Sequence, residues 1–433
     1  MMAATSKLRN GLTLDNASIQ RDNPALRWFA LLTAAATFVL VWMGGLVTSH
    51  EAGLSVPDWP NTYGYNLFFF PVSKWIGGVL FEHTHRLVAS GVGLLTTILA
   101  LWLYGRKSRP LLRLGGMALL LAGLAAVCIN PQSELLNPPL VPRNHLADVM
   151  MLVCIGAIAL AAGFIWPKCE PSPKWLRQLG LAAFFAVVIQ GVLGGLRVTT
   201  LKDQLGIFHA ALAQLFFVLM SAIALFHTAF WRNLPAQAET DTRRLRFIFL
   251  AATLLILGQL ALGATMRHQH AGLAIPDFPA AYGKIWPATD AASIARYNQL
   301  RTDVIDYQPI TAFQIVLQMV HRMMAATILL TVVACAWLAR RQLGSRHRLA
   351  RLSFAWLGLI VAQIFLGAAT LWTGKTADIA TAHVACGALS LMLGALISII
   401  SFRLLAAPAK ETLPARSNVP ASLLSPPGIP HST

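Results

Sequence analysis

Charge is scarce in this chain. Only 12% of its 433 residues are Asp, Glu, Lys or Arg, about half the share usual in soluble domains. With 56% apolar residues and a mean hydropathy of +0.61, that shortage excludes a water-soluble globular protein. Acidic residues are scarcer still, 17 against 34 Lys and Arg, which leaves a formal net charge of +17. Such an excess could suggest nucleic acid, but the basic residues sit in short segments between apolar runs, the pattern of membrane loops rather than of a phosphate-binding patch. Cysteine is sparse as well. Cys128, Cys154, Cys335 and Cys386 fall in or beside apolar runs and Cys169 lies by a basic loop, with no spacing that resembles a zinc or CxxC motif. The first residues, with Asp15 and Asp22, do not read as a signal or transit peptide.

Long apolar runs are what the chain does have. Ten read as membrane spans, at roughly 27–48, 80–103, 111–129, 145–166, 177–196, 208–230, 246–265, 314–338, 351–372 and 383–404. Alternate connections differ in basic residues. One set holds Arg106, Lys107, Arg109 and Arg113, then Lys168, Lys174 and Arg177, then Arg232, Arg243, Arg244 and Arg246, then Arg340, Arg341, Arg346 and Arg348. That set is expected on the cytoplasmic side, with both termini, in a multi-pass inner-membrane protein. The segment 406–433 is rich in Pro, Ser and Ala and is expected to be disordered.

The chain repeats itself. The stretch AGLSVPDWPNTYG at Ala52–Gly64 returns as AGLAIPDFPAAYG at Ala271–Gly283. HRLVAS at His85 is matched by HRMMAAT at His321, and QGVLGG before His209 by QIFLGA before His383. Two homologous halves follow. His85 and His209 are 124 residues apart, His321 and His383 only 62. The excess equals a helical hairpin at about 111–172. The expected fold is therefore an all-α polytopic membrane protein of two pseudo-symmetric four-helix bundles with an inserted hairpin. The boundaries are a cytoplasmic segment 1–26, an N-terminal half 27–231, a C-terminal half 246–405 and the tail.

The chemistry-bearing residues cluster at helix mouths, where ionisable groups are costly and mark a ligand or a path. FEHTHR at Phe81–Arg86 places Glu82, His83, His85 and Arg86 at the start of an uncharged span. In each half one His opens the second helix and one opens the last, so His85 with His209, and His321 with His383, share a depth. Two imidazoles at equal depth on facing helices can hold a haem iron axially. Glu82 shares a helix face with His85 and can pair with Arg86. The matching residue in the second half is Gln318, so the carboxylate belongs to one half only and the first half is expected to do the chemistry. Arg86 and Arg322 are expected to meet anionic groups such as haem propionates, with Arg197 and Lys202 as further candidates. His83 reads as interfacial, His50, His268 and His270 as surface residues, and His145 as a partner of Asp148 within the hairpin.

As a set, Glu82-x-x-His85-Arg86, QGVLGGLRV before His209, HRMMAA at His321, TAHVACGAL at His383 and the paired GLSVPDWP and GLAIPDFP loops resemble the haem A synthase family over about residues 27–105 and 177–404. The resemblance implies oxidation of the C8 methyl of haem O to a formyl group, giving haem A for terminal oxidases. It implies substrate haem O in the first half, at Glu82, His85 and His209, and a haem b cofactor in the second, at His321 and His383. The partners it implies are haem O, the haem O synthase, oxidase assembly factors, an electron donor and the lipid bilayer; nucleic acid is not among them. Two departures stand out: Ser49–Lys74 lacks the cysteine pair of many bacterial members, and the hairpin is additional. A bis-histidine membrane cytochrome b that passes electrons, or a haem carrier without chemistry, would use the same four histidines.

Overall fold

The computed structural model describes residues 23–128, 145–234, 243–301 and 309–405. The expected disordered tail, most of the N-terminal segment and the side chain of His145 lie outside the described residues. Ten long helices carry the fold: α1 Pro24–Ser49, α2 Gly78–Tyr104, α3 Ser108–Cys128, α4 His145–Ile165, α5 Lys174–Thr200, α6 Asp203–Phe226, α7 Arg243–His268, α8 Ala312–Leu343, α9 Arg348–Trp372 and α10 Ala377–Leu404. Nine stretches among the described residues have the length and hydropathy of a span; one of them, Gly78–Ala126, runs through both α2 and α3. The two helices are separated at Gly105, whose φ of +56° suits a residue without a side chain. The chain is a multi-pass helical membrane protein, as its composition requires.

Eight of these helices close two rings. In the first, α1 packs on α2, α2 on α5, α5 on α6 and α6 on α1. In the second, α7 packs on α8, α8 on α9, α9 on α10 and α10 on α7. Thus α2 and α6 stand on one diagonal of their bundle, and α8 and α10 on one diagonal of theirs. The bundles meet where α1 and α6 touch α10 and α6 touches α7. Val41, Phe217 and Ala388 fill that seam.

Each bundle has its own apolar core, and each core lies toward the basic end. In the first it is built from Leu26, Ala30, Leu99, Leu103, Leu176, Met220 and Ile223. In the second it is built from Leu245, Phe249, Val332, Trp356, Ile397 and Ile400. The basic end is also ringed by arginines stacked on aromatic faces: Arg177 on Tyr104, Arg246 on Phe247 and Phe402, Arg341 on Trp337, Arg348 on Phe230 and Arg403 on Trp231. Such residues, apolar at one end and wet at the other, suit a membrane interface.

The hairpin α3–α4 packs chiefly on itself. Gly116 on α3 and Gly156 on α4 face each other so closely that a Cβ at Gly116 would lie 2.4 Å from the Leu160 nitrogen, and one at Gly156 2.7 Å from that of Leu120; Gly123 lies against Val153 and Gly163 against Arg113. Close backbone approach of this kind is how small residues join helices in lipid. Its ties to the first bundle are few: the Ser172 and Arg106 amides donate to Leu103 and Cys169 carbonyls at 2.9 Å, and Asn66 donates to Asp148 at 2.7 Å. Asp148 thus bonds the first loop, and its expected pairing with His145 lies outside the described residues. Because neither ring needs the hairpin for closure, joining Arg109 to Pro173 through a short linker should leave a folded protein with its haem content intact. Purified protein that has lost its haem would show that the hairpin belongs to the bundles.

Candidate functional site

At the end opposite the basic rim, each bundle carries its histidines. His85 is on α2 and His209 on α6, across one diagonal; His321 is on α8 and His383 on α10, across the other. All four rings rest on a glycine of the preceding helix. A Cβ built on Gly44 of α1 would lie 3.3 Å from His85 Cε1, and one on Gly194 of α5 3.1 Å from His209 Cε1. In the second bundle the distances are 3.4 Å from Gly263 of α7 to His321 and 3.1 Å from Gly367 of α9 to His383. At these distances even a methyl group on the helix would crowd the imidazole, and a larger side chain would displace it.

Two of the rings are also oriented by hydrogen bonds. His209 Nδ1 lies 3.1 Å from the Gln190 carbonyl oxygen, and His383 Nδ1 3.1 Å from that of Gln363. A carbonyl only accepts, so the proton sits on Nδ1 and Nε2 keeps the lone pair that a metal needs. Gln363 Nε2 approaches His383 Nε2 at 3.4 Å, a long contact. Gln190 and Gln259 fix their neighbours further by donating to the His209 and His321 carbonyls at 2.8 and 3.0 Å. Nδ1 of both His85 and His321 is buried without a protein partner. Among the described residues no three His, Cys, Asp or Glu side chains gather as they would for a bare ion. The histidines come in pairs, the number of axial positions that a porphyrin leaves open on its iron. Paired imidazoles, Nδ1–H donation to carbonyls and glycine seats fit haem in each bundle.

The repeated loops close over these ends, and the residues at the helix mouths hold them there. Glu82, 4% exposed, accepts from the Val56 amide at 2.8 Å and from Arg86 at 2.7 Å. Gln318 accepts from Ile275, the repeat counterpart of Val56, at 2.7 Å, and its amide nitrogen donates to the Ile275 and Gly272 carbonyls at 3.2 and 3.3 Å. Arg86 donates to the carbonyls of Asp58, Asn61 and Val56 at 2.7, 3.0 and 2.9 Å. Arg322 donates to Ala280 and Asp277 at 2.9 and 2.7 Å. Both arginines are expected from the sequence to meet anionic groups; Arg86 bonds the Glu82 carboxylate, and the other N–H groups that have partners in both are directed at loop carbonyls.

Within each loop an Asp folds a turn that permits positive φ. Asp58 accepts from the Tyr63 and Gly64 amides at 2.7 and 2.8 Å, and Asp277 from those of Tyr282 and Gly283 at the same distances. The tyrosine hydroxyls then donate to the Ser55 and Ala274 carbonyls. Burial pushes the Tyr282 hydroxyl up to about 12, so it stays a donor across the physiological range. The loop tips differ. Trp59 lies against α5 where a Cβ on Gly195 would be 2.3 Å from its ring, whereas Phe278 meets Trp372 edge-on at 6.3 Å.

Two histidines sit elsewhere than the sequence suggested. His83 is not interfacial: it is fully buried under the first loop, 3.1 Å from the Thr62 hydroxyl and beside Phe70 and Trp75. His268 ends α7, and its side chain is only 9% exposed. His50 is exposed, as expected, and stacks on Phe81 at 4.1 Å. Lys202 is exposed before α6. The glycine seats were missed by sequence reasoning, although a signal existed: Gly44 and Gly263, like Gly194 and Gly367, occupy matching places in the repeat.

A membrane bundle that offers two diagonal histidine pairs, each ring seated on glycine, has the residues that a membrane haem protein needs. Comparison with known proteins makes the assignment narrower. Residues 146–395, more than half of the chain, match the COX15-CtaA family, described as cytochrome oxidase assembly protein, and the chain belongs to this family. It is similar to a protein named heme A synthase from Rhizorhabdus wittichii, 27% identical over 388 residues that cover 86% of this chain and 92% of the relative. A heme A synthase from Shewanella oneidensis is 22% identical over 85% of this chain and 94% of its own length. One from Methylobacterium nodulans is 30% identical over 50% of the chain. The chain is thus an oxidoreductase of haem A biosynthesis that acts on haem.

The seats make a sharp expectation. Gly194→Val and Gly367→Val should each displace one histidine and remove the low-spin spectrum of that bundle alone, as His209→Ala and His383→Ala would. Gly→Ala at either place should weaken haem retention less, because a neighbour 3.1 Å away must give by only a few tenths of an ångström. Absorption spectra of the purified variants decide; unchanged spectra in both valine variants would mean that the rings do not ligate.

Proposed function

We propose that this chain oxidises the C8 methyl of haem O to a formyl group, making haem A for terminal oxidases. In this reading His85 and His209 hold the substrate haem O, and His321 and His383 hold a haem b cofactor. The observation that carries the division of labour is the contrast between Glu82 and Gln318. Both accept the same loop amide, so the loop does not need a charge at this position. The first half nevertheless has a carboxylate, and its neighbours His83 and Thr62 stand where the second half has Met319 and Ala281. Each Glu82 oxygen carries one hydrogen bond and keeps a further lone pair. It can therefore take up a proton released when the methyl is oxidised, which an amide cannot do.

The bound haem b supplies one-electron redox chemistry. The protein's share is to orient four imidazoles, to cover both ends with clamped loops and to keep a proton acceptor in one half only. The electrons need a redox partner outside the chain. The haem O synthase and oxidase assembly factors are the proposed neighbours, in a bacterial inner membrane with both termini cytoplasmic. A pure electron-transfer cytochrome b or a haem carrier would have no use for an acid–base group in one half.

Glu82→Gln is the direct test because Gln318 shows that the amide can hold the loop. Co-expressed with a haem O source, this variant should retain its b-type haem, accumulate haem O and lose haem A by about a hundredfold or more, the usual scale of acid–base assistance. Extraction and chromatography of the haems read the result. A wild-type yield of haem A in the variant would reduce Glu82 to an anchor for the loop.

A further inference from the structure

With Arg86 and Arg322 directed at the loops, the histidine-bearing ends need another source of positive charge for the carboxylates of a haem. It lies at the seam between the bundles. Arg197, in the last turn of α5, runs between the first loop and the start of α6. A Cβ on Gly53 would be 2.7 Å from its Nη1, and one on Gly206 would be 3.1 Å from its Nε. His268, from the end of α7 in the other half, reaches the same glycine: its Cε1 would be 2.3 Å from that Cβ. Beside it, Arg267 crosses to α1, where Nη2 donates to the Ser49 hydroxyl and points at the Gly45 carbonyl at 3.5 Å. The Thr381 hydroxyl of α10 bonds the same Ser49 at 2.9 Å.

These cations are short of partners. The Arg197 carbonyl accepts from the Leu201 amide at 3.0 Å, but its guanidinium has no hydrogen bond among the described residues, and Nε of Arg267 is buried with none. Of the acids that act on Arg197, Glu82 is buried but already bonded to the Val56 amide and to Arg86, and Asp203 is 62% exposed and lies 3.9 Å from His268; Glu51 is 61% exposed and pairs with Lys375. Like charges brought together out of water are costly unless an anion joins them. The cluster also touches both haem sites electrostatically. Arg197 acts on His85 and on His209, Arg267 acts on His383, and the two arginines act on each other. Neither arginine belongs to the repeat: the counterpart of Arg197 is Thr370, and that of Arg267 is Thr48. Two non-repeated cations, one from each half, therefore converge where the halves meet.

We propose that Arg197, Arg267 and His268 form a carboxylate-binding site for haem propionates, with Arg197 serving the His85–His209 site and Arg267 the His321–His383 site. The assignment rests on the haem-site reading above. Guanidinium groups bind carboxylates through paired N–H donors. A propionate is the same in haem O and haem A, so this contact binds substrate and product equally and raises occupancy without favouring the oxidation step.

The test uses the purified full-length protein titrated with ferric haem b and with its dimethyl ester, which lacks the carboxylates. The wild type should bind the free acid at least about tenfold more tightly than the ester, the scale of one charge-assisted hydrogen bond. Arg197→Gln and Arg267→Gln should each shrink that preference several-fold, and Arg197→Lys should restore part of it. In cells Arg197→Gln should lower total haem content while leaving the ratio of haem A to haem O in the retained haem unchanged. Glutamine variants that keep the full preference overturn the proposal. So does a wild type indifferent to esterification whose arginine variants instead lose binding to phosphatidylglycerol vesicles, because the cluster would then serve a lipid phosphate. A wild type that forms no low-spin complex with either probe refutes the haem-site reading itself, and this assignment with it.

Discussion

The contact on which this structure depends is an imidazole seated on a helix that has no side chain. It occurs four times, at Gly44, Gly194, Gly263 and Gly367, always on the helix preceding the one that carries the histidine. A ring that occupies the space of a missing Cβ has little room to tilt toward that helix, and in His209 and His383 a carbonyl bond to Nδ1 restrains rotation as well. Those two rings are thereby oriented before any metal arrives, which lowers the ordering cost of binding. The seats also set the spacing of the helices that carry them, and they explain why both apolar cores lie toward the basic end. Large side chains fill the half of each bundle away from the histidines; glycine and imidazole shape the other half.

The loops show how one backbone design serves two sites. Asp58 and Asp277 fold the same turn, Tyr63 and Tyr282 brace it with the same hydrogen bond, and Arg86 and Arg322 clamp it from the helix mouth. Upon this shared frame the first half places Glu82, His83 and Thr62, and the second places Gln318, Met319 and Ala281. The geometry is retained while the carboxylate at this helix position is confined to one side. The seam adds a second asymmetry, because Arg197 and Arg267 come from non-equivalent places and meet between the sites.

Much of this was legible in the sequence. The ten spans, the repeat, the four histidines and the Glu82–Gln318 contrast all follow from hydropathy and from aligning one half with the other. Other features had no local signature. Arg86 and Arg322 look like ligands for an anion because they follow histidines; only the fold brings loop carbonyls to within 3 Å of them. The bonds of His209 and His383 to Gln190 and Gln363 run through backbone carbonyls, which carry no residue-specific mark, although both glutamines stand in the repeated motif. His83 reads as interfacial from its place at a helix mouth, yet the first loop folds over it and excludes water. Arg267 and His268 follow the end of an apolar run and resemble an ordinary interfacial pair, because nothing in the sequence shows that α7 ends against the start of α6.

The central claim is that each bundle holds one haem iron between two neutral imidazoles. The most direct measurement is low-temperature electron paramagnetic resonance of the purified, oxidised wild-type protein, together with its iron and haem content. The account predicts two haems per chain when substrate is supplied, each giving a low-spin ferric signal of bis-histidine type. A single haem per chain under those conditions, or a high-spin or histidine–methionine signal from either site, would contradict it.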